Sequence, residues 1–504
     1  MPNNKVMFIQ PPFFRLFKDT FSFNGYPFSL GYLAGTVKKE TSWEVSAYNS
    51  DFNPKSVLGN DNVTFSFQAG EGYTNYINNL ADASAPIWNE IRETIGKVSP
   101  TVVGISCTSQ NFKAVERVAQ IAKDIDSSTL VLVGGPHPSM VGSEVLKCGA
   151  IDIAARGEGE RTILEVLDAV LQKKSFSHIY GIAYRSHGQV IETGPRDLIQ
   201  DLDSLCFPYD SMEEVLIGYD QYPLNAFGSI FASRGCPFGC TFCGSRKIWG
   251  RTVRLRSPGN VVKELARLQK RGFTSVRFAD DSFGVNRKWL KELCETIKLK
   301  CPDLKWKCEM NVGVINDETL SLMKSAGCHM IELGIESGDN RVLKEIKKGI
   351  TIEQALVACK LVNKYGIELQ AYIMAGFPQE TEESLLNTRN AIRKINGYIC
   401  FNVFSPFPGT ELYELCKEKK LIADDYDVCL HSYQNLDSFC ISLPRDKFRK
   451  IVSEMIREVD RKNKLNRIRR IFSTNTIWRL KEYGLMKGMK KGVRIMFARK
   501  SLYP

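Results

Sequence analysis

The sequence predicts an α/β protein: a doubly wound domain, then an open run of six βα units, then a helical and basic C-terminal region. Three observations predict it. Short, nearly unbroken apolar runs end in turn residues, apolar residues recur at helical spacing between them, and 504 residues are enough for two or three cores. Strands covered by helices on both faces carry apolar side chains on both, so they lose the apolar–polar alternation of a half-exposed sheet.

Taken in order, "KVMFIQPP" (5–12), "WEVSAYN" (43–49), "VVGISC" (102–107), "TLVLVGGP" (129–136) and "DIAARGEGE" (152–160) read as strands. Phe112, Val115, Val118, Ala119 and Ala122 share one helical face, as do Ile163, Leu164, Val166, Leu167, Val170 and Leu171. Right-handed crossovers make this a flavodoxin-like domain over 1–200. Residues 50–85 read as an inserted loop, 181–194 as a hairpin and 201–224 as a linker. From 225 to 405 the strands "GSIFAS", "SVRFAD", "KWKCEMN", "MIELGIES", "LQAYIMAG" and "GYICFNVF" alternate with helices such as "PGNVVKELARLQKRG", closed by a Gly. Six units are too few for a closed eight-fold barrel, so a partial (β/α)6 barrel is expected. Residues 406–504 form the C-terminal helical region, with Phe448, Ile451, Val452, Met455, Ile456 and Val459 on one helical face.

The 15 cysteines, with no secretion signal at "MPNNKVMFIQPP" and no bilayer-spanning apolar run, point to a reducing cytoplasm rather than a disulfide framework. The net charge of +12 belongs to the tail: residues 445–504 hold 19 Lys and Arg against 5 Asp and Glu. With Phe472, Trp478, Tyr483, Phe497 and Tyr503, that tail reads as a membrane-surface contact, as a solvated helical face, or as an amphipathic helix packed on the barrel over the substrate mouth. It has no nucleic-acid-binding motif.

Cys236, Cys240 and Cys243 follow the first barrel strand in a C-x3-C-x2-C loop threaded by Gly235, Gly239 and Gly244. Three thiolates do not close a structural zinc site, and the loop has no His, Asp or Glu to complete one. A 4Fe–4S cluster takes one thiolate per iron, so three leave one iron open. Cys294, Cys301, Cys308 and Cys328 lack such spacing and read as structural.

"CPFGCTFC" resembles the signature of the radical S-adenosylmethionine enzymes, and the partial barrel matches their fold. The resemblance implies that the open iron binds S-adenosylmethionine, whose reductive cleavage gives a 5′-deoxyadenosyl radical that takes hydrogen from a substrate. An electron donor such as flavodoxin or ferredoxin is implied. Carried over motif by motif, Phe242 falls at the adenine, and Asp280 and Asp281 of "FADDSFGVN" near the cosubstrate or substrate. Glu336 and Ser337 of "ELGIESG" fall at the ribose and Gly376 of "MAGFPQET" on the adenine side, with Glu309 a weaker candidate. Helix capping is the bland alternative for Asp280 and Asp281.

The preceding domain extends the resemblance to the cobalamin-binding members of the group, over about residues 1–410. Three strand ends would cradle cobalamin: Ser106, Thr108, Ser109 and Gln110; Gly134, Gly135, Pro136 and His137; and Gly157, Glu158 and Gly159. The first turn, "QPPFFRLFKD", lacks the D-x-H-x-x-G histidine that ligates cobalt in methionine-synthase-type domains, so no His ligand is expected. His137 reads mainly as a hydrogen-bonding turn residue. The implied activity is a cobalamin-dependent radical C-methyltransferase acting on a small-molecule or lipid-like substrate, with the catalytic residues unassigned. A ring-forming enzyme of the anaerobic porphyrin cyclase type is the alternative, kept open by "FADDSF" and "PFPGTELY". A tRNA methylthiotransferase fits poorly, because only Cys107 and Cys148 precede residue 200. A non-catalytic cobalamin sensor is the remaining alternative.

Overall fold

The structure, a computed structural model, describes residues 4–19, 26–55, 71–430 and 439–471. Its first sheet contains β1 (Lys5–Gln10), β2 (Glu44–Asn49), β3 (Val102–Ser106), β4 (Leu130–Gly134), β5 (Ile153–Ala155), β6 (Ile182–Ser186) and β7 (Gln189–Glu192), in the order β2-β1-β3-β4-β5-β6-β7. The first five are parallel, and β6–β7 is the expected hairpin, turned at His187 and Gly188 with positive φ at both. The order 2-1-3-4-5 is the flavodoxin-like one, with its switch between β1 and β3.

Period-two alternation assigns each strand's side chains to two cores. Met7, Ile9, Val103, Ile105, Val131 and Val133 pack against the helices Pro86–Val98 and Phe112–Ile125. Val6, Phe8, Val102, Leu132 and Ile153 face the helices Phe28–Glu40 and Gly159–Gln172, and this second core continues without a break into the barrel. Residues 201–224, expected as a linker, are packed short helical turns that bury Tyr209, Met212, Val215 and Leu216. Within the expected 50–85 loop, Glu71–Ala81 is a helix. Tyr73, Tyr76, Ile77 and Leu80 carry its helical period, masked in the sequence by three interleaved Asn.

The second sheet runs β15-β14-β13-β12-β11-β8: β8 (Ser229–Ile230), β11 (Ser275–Phe278), β12 (Lys305–Met310), β13 (Cys328–Glu336), β14 (Glu368–Ala375) and β15 (Tyr398–Val403), all parallel. Beside it, β9 (Ser233–Arg234) and β10 (Arg254–Leu255) form a short antiparallel ladder. Helix starts are locally encoded: Ser257, Asn316 and Asp339 cap theirs, and Thr351 with Gln354 forms a capping box. The helix Arg445–Ile471 covers the open β15 edge, burying Phe448, Val452, Met455 and Val459. Its Asn463 side chain accepts from the Ile399 N–H at 2.9 Å and donates to the Ile399 carbonyl at 2.8 Å, substituting for a neighbouring strand. The tail aromatics from Phe472 onward lie outside the described residues. Among those described, no helix is long and apolar enough to cross a membrane.

Candidate active site

The carboxyl ends of both parallel sheets open onto one cavity of about 880 Å³. One wall is the first domain: Ser106, Thr108, Ser109, Gln110, Gly134, Gly135, Pro136, Gly157, Glu158 and Gly159. A slot runs on down the sheet face between Phe8, Leu132, Ala155 and Ile163, residues that sequence reasoning assigned only to core. The opposite wall is Phe242, Cys243, Gly244, Ser245 and Asp281, with Phe231 and Trp249 between.

Glycine is required at two places here. At Gly157 (φ +76°) a Cβ would meet nothing within 4 Å, so the backbone leaves open space in the cradle. At Gly235 (φ +102°) a Cβ would run into the Thr252 carbonyl, which forces the chain directly into the cysteine loop. His137 does not line the cavity. It is buried beside the Phe112 ring with Nδ1 2.9 Å from Ser109 Oγ, and burial pushes its pKa down to about 4, so the ring is neutral.

The cysteine loop is tied at both ends. Asp280 is buried, accepts from the Ala232 N–H at 3.1 Å and bonds the Ser233 hydroxyl, and burial raises its pKa to about 6. Asp281 accepts from Ser245 Oγ at 3.1 Å and from the Gly235 N–H. Both carboxylates therefore serve the loop. The Thr241 N–H donates to Ile346 and its carbonyl accepts from Leu412, which anchors the middle. Met140 joins the three regions: its sulfur packs on Gly244, and its carbonyl meets Gly409 and the Lys247 ammonium, the latter at 3.3 Å.

Cys236, Cys240 and Cys243 are free thiols, and each feels the charge of another. Burial raises all three, Cys243 to about 11, while the Lys348 ammonium works the other way on each and favours thiolates. Among the described residues no three His, Cys, Asp or Glu converge as one metal ion would need. A four-iron cube holds its thiolates apart, one per iron, and this donor set fits it with one iron left open.

Lys348 is the residue sequence reasoning missed. It is buried, its Nζ lies 2.7 Å from Glu336 Oε1, and it sits 6.0 Å from the Phe242 ring centroid. Nothing in "EIKKGI" distinguishes it from the exposed Lys347. Glu336 itself has φ +68°, a strained backbone for a non-glycine residue. Glu309 stands near Glu332 and Glu336, and burial with their charges raises its pKa to about 7. Glu332 is matched by Arg277 at 2.9 Å and Lys307 at 3.0 Å on the same inner face. Ser337 turns away, its Oγ 3.3 Å from Thr388, and Gly376 (φ +101°) packs under Phe448 and Val403.

Residues 230–392 match the radical SAM superfamily, and residues 69–167 match the B12 binding domain. The chain is 31% identical over 424 residues to an uncharacterized methyltransferase of Pyrococcus horikoshii, covering 83% of this chain and 84% of that one. It is also 31% identical over 369 residues to the anaerobic magnesium-protoporphyrin IX monomethyl ester cyclase of Rubrivivax gelatinosus, covering 70% of this chain and 65% of the cyclase. The radical S-adenosylmethionine methyltransferase TsrM of Kitasatospora setae shares the fold with a TM-score of 0.64 at 16% identity, over 82% of this chain and 76% of that one. Two matched domains in this order, a thiol loop that leaves one iron open and an open glycine cradle facing it place the chain in the cobalamin-dependent radical S-adenosylmethionine methyltransferase family.

Proposed function

We propose that the protein methylates an unactivated carbon of an apolar, small-molecule or lipid-like substrate held between its two domains. One observation carries the reading: a single cavity has the glycine cradle on one wall and the cysteine loop on the other, with Phe13, Phe14, Phe28, Phe231, Trp249 and Phe407 between them. When bound, the cluster with S-adenosylmethionine supplies a hydrogen-abstracting radical, and cobalamin supplies the methyl group.

The chain's own residues divide the remaining work. Cys236, Cys240 and Cys243 hold the cluster, and Lys348 balances its charge. Phe242, Glu309, Glu336 and the Gly376 turn surround the cosubstrate, and the cradle residues around Gly134, Gly135 and Gly157 receive the corrin. His137, bonded to Ser109, stays off the cobalt. The aromatic wall excludes water from the radical and binds apolar carbon. A flavodoxin or ferredoxin supplies electrons in the cytoplasm, and the basic tail rests on a membrane surface. The units 1–200, 225–405 and 406–504 serve as cofactor, radical and closing regions.

The test is anaerobic reconstitution with iron, sulfide and hydroxocobalamin, then incubation of cell lipid and small-molecule extracts with methyl-deuterated S-adenosylmethionine. A product gaining one deuterated methyl is expected. A second reading, ring closure, is favoured by the likeness to the cyclase over 70% of the chain. Product formed without deuterium would establish it in place of methyl transfer.

A further inference from the structure

Where the two sheets meet, four charged side chains are withdrawn from water together. Glu158 and Glu160 lie in the turn and first helical turn after β5, Arg234 on β9 and Arg254 on the paired strand β10. Arg234 donates to Glu158 at 2.6 Å and with its other arm to Glu160. Arg254 donates to both Glu158 oxygens, at 3.0 and 2.8 Å, and to the Ile199 carbonyl. The Ile199 N–H donates to Glu158 at 2.6 Å. Side-chain exposures are 8% for Arg234, 4% for Arg254, 1% for Glu158 and 7% for Glu160. Tyr32 lies under Arg234 and Trp249 under Arg254, at 5.2 and 5.7 Å from the ring centroids.

Two cations against two anions make a neutral group. Buried ion pairs add little net stability over apolar packing, but breaking one is costly. What a forked guanidinium adds is direction as well as distance. The group also has a short reach to both ends of the cavity. Glu158 adjoins Gly157 of the cradle, and Arg234 is separated from Cys236 by Gly235 alone.

We propose that this quartet is a positioning brace that sets the separation and angle between the cobalamin cradle and the cluster loop. Glu158 and Glu160 serve the brace: both Glu158 oxygens are engaged by Arg254, Arg234 and Ile199, and Glu160 takes the other arm of Arg234. None of the four acts on substrate directly. Their effect is geometric, and misplacing a reacting group by about 1 Å costs on the order of 10²-fold in rate. The brace rests on the two-cofactor chemistry and not on the substrate, so failure to find a methylated product leaves its test intact.

The experiment is pulsed electron paramagnetic resonance on protein carrying cob(II)alamin and the reduced cluster, read as a cobalt-to-cluster distance distribution. Cobalamin affinity is measured on the same samples by visible titration. The unaltered protein gives one narrow distribution. Glu160→Gln broadens or shifts it, while cobalamin affinity stays within about twofold. Arg234→Lys keeps the charge but loses the fork and moves the distribution the same way; it carries the test if Glu160→Gln does not fold. A distribution as narrow as the original and unshifted in both variants overturns the brace. So does a loss of affinity of about tenfold or more with the distance unchanged, which makes the carboxylates cofactor contacts.

Discussion

The two parallel sheets present their carboxyl ends to the same cavity with opposite chemistry. The first offers room: Gly134, Gly135 and Gly157, short hydroxyls at Ser106, Thr108 and Ser109, a neutral His137 folded away, and carboxylates at Glu158 and Glu160 already neutralised by Arg234 and Arg254. The second offers charge: three thiols, Lys348 paired with Glu336, and Glu309 beside Glu332. Under the proposed function the difference follows the ligands. A broad, largely neutral macrocycle needs room, which glycine supplies by giving up side chains. On the same proposal, a charged cluster and a sulfonium-bearing amino acid need fixed charges in a dry site, where electrostatics are strong.

The comparison breaks most sharply at the thiols. Replacing Cys236, Cys240 or Cys243 with Ala should abolish the cluster's visible absorption and 5′-deoxyadenosine release while leaving cobalamin titration unchanged. If cobalamin binding is lost as well, the two walls are not independent. Lys348→Met comes next. It strands the buried Glu336 carboxylate, and breaking such a pair costs about 3–5 kcal/mol, measured by denaturant unfolding. Cobalamin affinity should again hold in the fraction that folds. On the other wall, Gly157→Val fills the open cradle and adds about 1–2 kcal/mol of backbone strain at φ +76°. Cobalamin affinity should fall by about tenfold or more, with the cluster spectrum intact.

A smaller effect lies behind the second wall. Glu380 is fully buried, accepts from the Gly376 and Phe377 N–H groups, and is pushed by burial from 4.5 up to about 8. Between those values the folded chain keeps a proton that the unfolded chain has released, so stability falls as pH rises through the window. Glu380→Gln should flatten that slope in melting temperatures taken from pH 5 to 8.5. Smallest of all, His137→Ala should leave the bound cobalamin spectrum unchanged, since His137 is bonded to Ser109 outside the cavity wall. A spectral change typical of losing an axial nitrogen would count against the hydroxyl-and-glycine description of the first wall.

Much of this was legible from the chain alone. The strands of the doubly wound domain, the partial barrel and the thiol loop follow from apolar periodicity and from the spacing of Cys236, Cys240 and Cys243, which are local properties. That the three glycine-bearing turns line one wall of a cavity was legible because strand ends in a parallel sheet share one rim, so naming the strands places the turns. The helix Glu71–Ala81 escaped because its apolar residues are sparse among Asn.

What the tertiary structure alone decided is which charges meet. Asp280 and Asp281 read as contacts to cosubstrate or substrate, or as helix caps; the fold adds that both bond the cysteine loop, because β11 ends beside Ala232 and Ser245. Lys348 and Lys347 are adjacent and chemically identical, but one turns into the barrel beside Glu336 and the other outward to Glu411. The "RGEGE" turn signals a glycine-rich rim in sequence, while its two carboxylates find Arg234 and Arg254 some 75 to 95 residues away. Periodicity and spacing are set by neighbours along the chain. The pairing of charges is set by which strand ends the fold brings to the same few ångströms, and there burial makes each pairing obligatory.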